Sequence, residues 1–138
     1  MKKRLTAQEI RDIMFEAQII HDDFGQYIKS QCDETGHIPR DWKPSKEWNI
    51  KHNASNKASN KVFNIFKKIR KDTAFFEEVL EPLLCHDNIK IKYDAAGYAL
   101  DSGLDEQALK ALNEIADSDH KLKDEAKGLL EYVQSIRD

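Results

Sequence analysis

Residues 79–100, VLEPLLCHDNIKIKYDAAGYAL, constrain the fold more than any other part of the chain. Val79, Leu80, Leu83 and Leu84 share one helical face, because residues three and four apart lie together on a 3.6-residue turn. Asp87 or Asn88 can then accept the free amides at the start of a second helix. In that helix Ile91, Ala95, Ala96 and Ala99 recur at the same spacing. Alanines on the apolar stripe keep its ridge low, so the second helix can approach the first closely. The local solution is a helical hairpin, and stacking such hairpins is how it would bury the rest of its apolar surface.

The pattern recurs. A shift of 31 residues places Leu84 on Ile115, Asn88 on Asp119, Ile91 on Leu122, Ala95 on Ala126 and Gly97 on Gly128. Amphipathicity alone accounts for the apolar matches, but not for the paired glycines and capping residues.

The remaining chain supports a helical reading. Only eight of 138 residues are Gly or Pro, and no polar–apolar alternation or Asn-Gly turn offers a hairpin of strands. Thr6 and Glu9 form a capping box ahead of a helix over residues 7–30, with Gly25 a place for a break. A connection over 31–48 follows, punctuated by Gly36, Pro39 and Pro44 and carrying Trp42 and Trp48. The next helix spans residues 53–70, through the tandem ASNK of 54–61, with Ala58, Val62, Ile65, Phe66 and Ile69 inside. Further helices are expected over 73–85 (capped by Asp72, kinked at Pro82), 89–101 (closed by a left-handed Gly103), 105–116 and 119–136. The expectation is one all-α domain over 1–138, with the repeats in 49–138.

At these residues a resemblance can be named. Asn60–Phe66, Leu80–Leu84, Asp87–Ala96 and Ala108–Ala116 resemble a family of short bacterial HEAT-like helical-repeat proteins, a domain of unknown function. The resemblance covers roughly three-fifths of the chain. It implies an α-α superhelix of about six helices in stacked antiparallel pairs. It also implies a protein similar, in some cases, to the immunity proteins of bacterial toxin systems, with no catalytic residue to carry over.

Charge is unevenly spread. Residues 1–72 carry 15 basic and 10 acidic side chains, +5, while residues 73–138 carry 7 and 15, −8. Within 40–71 there are ten basic residues and only Asp41 and Glu47 against them. Such asymmetry bears on partners more than the net −3 does.

Residues able to do chemistry are sparse. The five histidines make no i, i+4 pair and no HExxH, and Cys32 and Cys85 form no CxxC. His21-Asp22-Asp23 is a poor metal set, since neighbours in sequence point apart on a helix. Cys85 reads as a small buried residue and Cys32 as a loop thiol with nothing to activate it. No glycine-rich phosphate loop is present. The chain reads as no enzyme, with no cofactor and no metal. Its basic start is interrupted by Gln8, Glu9, Arg11 and Asp12 before any apolar signal segment, and no apolar run would span a membrane. A cytoplasmic protein is expected.

Two partner readings follow. In the first, the acidic half meets a basic toxin domain, a nuclease for example, through Asp94, Asp101, Asp105, Asp124 and Glu125, with Trp42 or Trp48 as anchors. Against it, each acid read singly is a solvated side chain, and a tryptophan in a connection more often pins that connection to the core. In the second, the basic helix of 53–71 tracks nucleic-acid phosphates through Lys51, Lys57, Lys61, Lys68 and Lys71, with Asn56, Asn60 and Asn64 between. Self-association of opposite halves is a third route.

Overall fold

The computed structural model describes residues 4–138, so Lys2 and Lys3 of the basic start lie outside it. Among the described residues there are six α-helices, one 3-10 helix and no strand. The order is α1 (Ala7–Gln31), α2 (Lys46–Ile69), α3 (Thr73–Leu80), the 3-10 segment (Glu81–Cys85), α4 (Ile89–Ala99), α5 (Asp105–Ala116) and α6 (Lys123–Arg137). Helices adjacent in sequence pack in pairs, α1 on α2, α4 on α5 and α5 on α6, and α1 reaches across to α3 and α4.

The helix starts follow from local chemistry. Thr6 Oγ1 accepts from the Glu9 amide at 3.1 Å while Thr6 N donates to Glu9 Oε1 at 3.0 Å, the expected reciprocal box. Asp72 caps α3, and Asn88 caps α4 by accepting from both Lys90 N and Ile91 N. Pro82 ends α3 rather than kinking it. It falls in the first turn of the 3-10 segment, where its missing N–H leaves no bond unmade.

Other expectations are corrected as well. α2 begins at Lys46, seven residues before residue 53, because Ser45 Oγ caps it by accepting from Trp48 N at 3.0 Å. Trp48 is therefore helical, and the connection shortens to 32–45. α1 runs through Gly25 without a break. The left-handed residue after α4 is Asp101 (φ 62), not Gly103, and the helix stops at Ala99. Asp tolerates that region through its short polar side chain, and here its N–H donates to Asp105 Oδ1 at 2.7 Å. α6 begins at Lys123, so Asp119 does not repeat the capping role of Asn88. Of the 31-residue correspondence the apolar matches remain, with Ala95 and Ala126 both fully buried and Leu84 and Ile115 nearly so, as amphipathicity alone requires.

The core joins all the helices except for the outer turns. Phe66 of α2 stacks on Tyr98 of α4, centroids 4.4 Å apart, and meets Phe76 of α3 edge-on at 6.1 Å. Burying a side chain of this size contributes about 1.5–3 kcal/mol. Ala95, Ala96 and Ala99 have no exposed surface, which is the close approach that their size permits. Cys85, expected to be buried, is exposed, because the 3-10 segment turns it away from Leu83 and Leu84.

Candidate functional site

The five acidic candidates divide by environment. Asp105 and Asp101 are engaged within the molecule. Arg137 Nη1 and Nη2 donate to the two Asp105 oxygens at 3.0 and 2.7 Å, and Nη2 also donates to Asp101 Oδ1 at 2.8 Å. The guanidinium holds the Asp105 carboxyl below the usual carboxylate range. Asp124 and Glu125 are exposed in the first turn of α6 and make no ion pair among the described residues. Their placement also suits the positive end of the helix. Glu78, Glu81, Asp87, Glu106, Asp117 and Asp119 are likewise exposed on α3–α6 and their connections.

Trp42 and Trp48 are both half-buried and meet edge-on, centroids 5.8 Å apart. Trp48 stacks on His52 at 4.5 Å and packs edge-on against Phe24 of α1 at 5.9 Å. Trp42 Nε1 donates to Gln31 Oε1 at 3.3 Å. Opposite ends of the connection are thus pinned to α1, aided by Tyr27 and Ser45 hydroxyls 2.7 Å apart. Asp33 Oδ1 accepts from Thr35 N, Thr35 Oγ1 and His37 N, which organises the connection and lowers the Asp33 pKa.

The basic candidates separate too. Lys51 donates to Asp23 Oδ2 on α1 at 2.5 Å, which raises its pKa. Lys57, Lys61 and Lys68 are exposed along α2 and Lys71 just beyond it, without ion pairs among the described residues. Lys57 and Lys61 flank a shallow groove of about 240 Å³ with Ile13, Glu16 and Ile20 of α1.

A larger cavity, about 600 Å³, opens between α1, α2, α4 and α6. Its apolar wall includes Met14, Val62 and Leu129, and its polar groups are His21, Ser59, Lys90, Tyr93, Asp94 and Tyr98. Asp94 accepts from Lys90 Nζ at 3.3 Å. Burial raises the Asp94 pKa against the pull of Lys90 and His21. Burial also lowers the pKa of His21, whose ring nitrogens lie 2.7 Å from Ser55 Oγ and 3.3 Å from Ser59 Oγ. Tyr98 is raised by burial, then by Asp94. Gln18, the buried polar side chain of the core, donates to Asp22 at 2.8 Å.

This is not a hydrolytic triad. Asp94 bonds to Lys90 and not to His21, and both imidazole nitrogens face serine hydroxyls, so among the described residues no carboxylate backs the ring as a base toward either serine. Among the described residues no group of three or more His, Cys, Asp or Glu could hold a metal ion, and no helix is long and apolar enough to cross a membrane. The cavity escaped the sequence reading because its groups come from four helices far apart in the chain. The only local sign was the alanine pair beside Asp94, which marks where helices come close.

The chain matches no protein-family model, no curated protein and no solved structure.

Proposed function

We propose that the chain is a non-catalytic, partner-binding protein of HEAT-like stacked helical pairs. In its most specific form it is a cytoplasmic immunity-type protein that binds and neutralises a cognate basic bacterial toxin domain. The observation that carries this reading is the set of exposed carboxylates on α3–α6, Asp124 and Glu125 among them, that make no ion pair among the described residues. The exposed acids outnumber the exposed lysines of the same region, Lys110, Lys121 and Lys127, and an excess of one sign speeds capture of an oppositely charged partner. Asp101 and Asp105 contribute less to that surface, since Arg137 neutralises them. Trp42 and Trp48 contribute through the connection they hold in shape. Co-expression with the product of the adjacent reading frame tests the reading. Rescue from toxicity and co-purification support it, and Asp124→Lys with Glu125→Lys should slow association.

A second reading has its own observation. Lys57, Lys61 and Lys68 are exposed and unpaired on one helix, with Lys71 next to its end, as phosphate tracking requires. Gel retardation of DNA and RNA tests it. Binding that weakens steeply with salt and is lost in the Lys57→Glu, Lys61→Glu, Lys68→Glu variant supports it. Absence of retardation at micromolar protein removes it.

A further inference from the structure

The cavity between α1, α2, α4 and α6 has a use that partner binding does not require. Its volume, about 600 Å³, lies in the range that encloses small organic molecules. Two tyrosines, Tyr93 and Tyr98, and the apolar side chains Met14, Val62 and Leu129 line it. The polar groups facing it are unevenly committed. His21 is held by Ser55 and Ser59, and Gln18 by Asp22. Asp94 is shorter than Lys90, and among the described residues its one side-chain hydrogen bond is the 3.3 Å contact from the Lys90 ammonium. Lys90 has a more exposed side chain than Asp94, 42% against 35%, and its ammonium also lies 5.6 Å from the Tyr93 ring centroid, on a long flexible stem that can swing toward water.

From this geometry we infer that the cavity binds a small organic cation, an ammonium on an aryl-alkyl body, with the ammonium on Asp94 and the aryl group between Tyr93, Tyr98 and Leu129. The incoming ammonium takes the place of Lys90 on Asp94, and Lys90 moves into solvent. The site that the ammonium would take already holds a cation, the Lys90 ammonium, between Asp94 and the Tyr93 ring, whose face carries negative potential. Burial also leaves the Asp94 carboxylate short of solvation, so a closer cationic partner is favoured over the distant lysine.

Titration of the full chain with 2-phenylethylammonium, followed by amide NMR shifts, tests this. Saturable shifts at Val62, Asp94 and Tyr98 are expected, with 3-phenylpropionate, the anion of similar size, giving none. Asp94→Asn should weaken binding by roughly tenfold or more. Lys90→Ala should tighten it several-fold, because no competing ammonium is left to displace; a merely structural Asp94–Lys90 pair predicts the opposite. The same lining could take a cationic side chain of a protein, so Nα-acetyl-argininamide is titrated in parallel. Binding of that compound alone, equal binding of anion and cation, no saturable shift up to about 10 mM, or weaker binding by Lys90→Ala overturns the proposal. Each of these outcomes is independent of whether the acidic surface captures a toxin.

Discussion

Arg137, in the last turn of α6, grips Asp105, in the first turn of α5, through two parallel hydrogen bonds of 3.0 and 2.7 Å. A cation at a helix C-terminus and an acid at a helix N-terminus both complement the helix dipole, so the pair closes the end of the α5–α6 hairpin. Arg137→Ala should lower the urea midpoint of unfolding. It should also flatten the acid limb. Asp105 has a lowered folded-state pKa, so the stability it contributes is present above its ordinary value, about 3.9, and is lost as pH falls through the folded value. Unfolding followed from about pH 6 to about pH 2 should show a smaller loss in the variant than in the parent chain.

Asp94 behaves in the opposite sense. Burial raises its folded pKa, so the folded state binds the proton more tightly, and stability falls as pH rises from the ordinary pKa through the folded one. The groups acting on it are Lys90 on its own helix and His21 from α1, both of which favour the charged form. Asp94→Asn should therefore leave stability unchanged or raise it at neutral pH, by less than about 1 kcal/mol given its partial exposure. Thermal unfolding at pH 7 and at pH 3 checks this; the difference between variant and parent should shrink at the lower pH. A large loss at pH 7 would show that the Lys90 pair outweighs the burial cost.

Trp48 connects α1 to α2 through Phe24 and His52, whereas Trp42 reaches the core through Trp48 and Gln31. Trp48→Ala should cost about 2 kcal/mol, and Trp42→Ala less. Equilibrium denaturation ranks the two, and a reversed order would contradict the packing described.

Ala96 has no exposed surface and lies on the side of α4 that approaches its neighbours. Ala96→Leu should destabilise by about 1–3 kcal/mol through overpacking. The exposed Gly97, one residue on, has nothing within 4 Å of an added Cβ, so Gly97→Ala should be neutral or stabilising by up to about 1 kcal/mol. Denaturant midpoints of the two variants distinguish a packed face from a free one.

The features legible in sequence were the local ones. Thr6, Asp72 and Asn88 cap their helices through residues two or three positions away, and the alanine stripe of α4 carries its own spacing. Ser45 does not stand out as a cap, because Pro44 and the nearby tryptophans give the segment the look of a loop, although Pro-Ser before an acidic first turn is itself a start signal. The left-handed position falls to Asp101 rather than Gly103, with the Asp101 N–H on Asp105 Oδ1 and the Asp101 carboxylate on Arg137, 36 residues away. The same distance hides the site: Asp94 and His21 share a cavity only because α1 crosses α4. No periodicity along one helix encodes that crossing.

The partner-binding account is tested most directly by purifying the chain after co-expression with the product of its adjacent reading frame and measuring association rates across salt. It predicts a stoichiometric complex whose association slows as ionic strength rises, and slows further in the Asp124→Lys, Glu125→Lys variant while dissociation changes little. No complex and no rescue of a toxic partner, or a complex indifferent to both salt and those two charges, would contradict it.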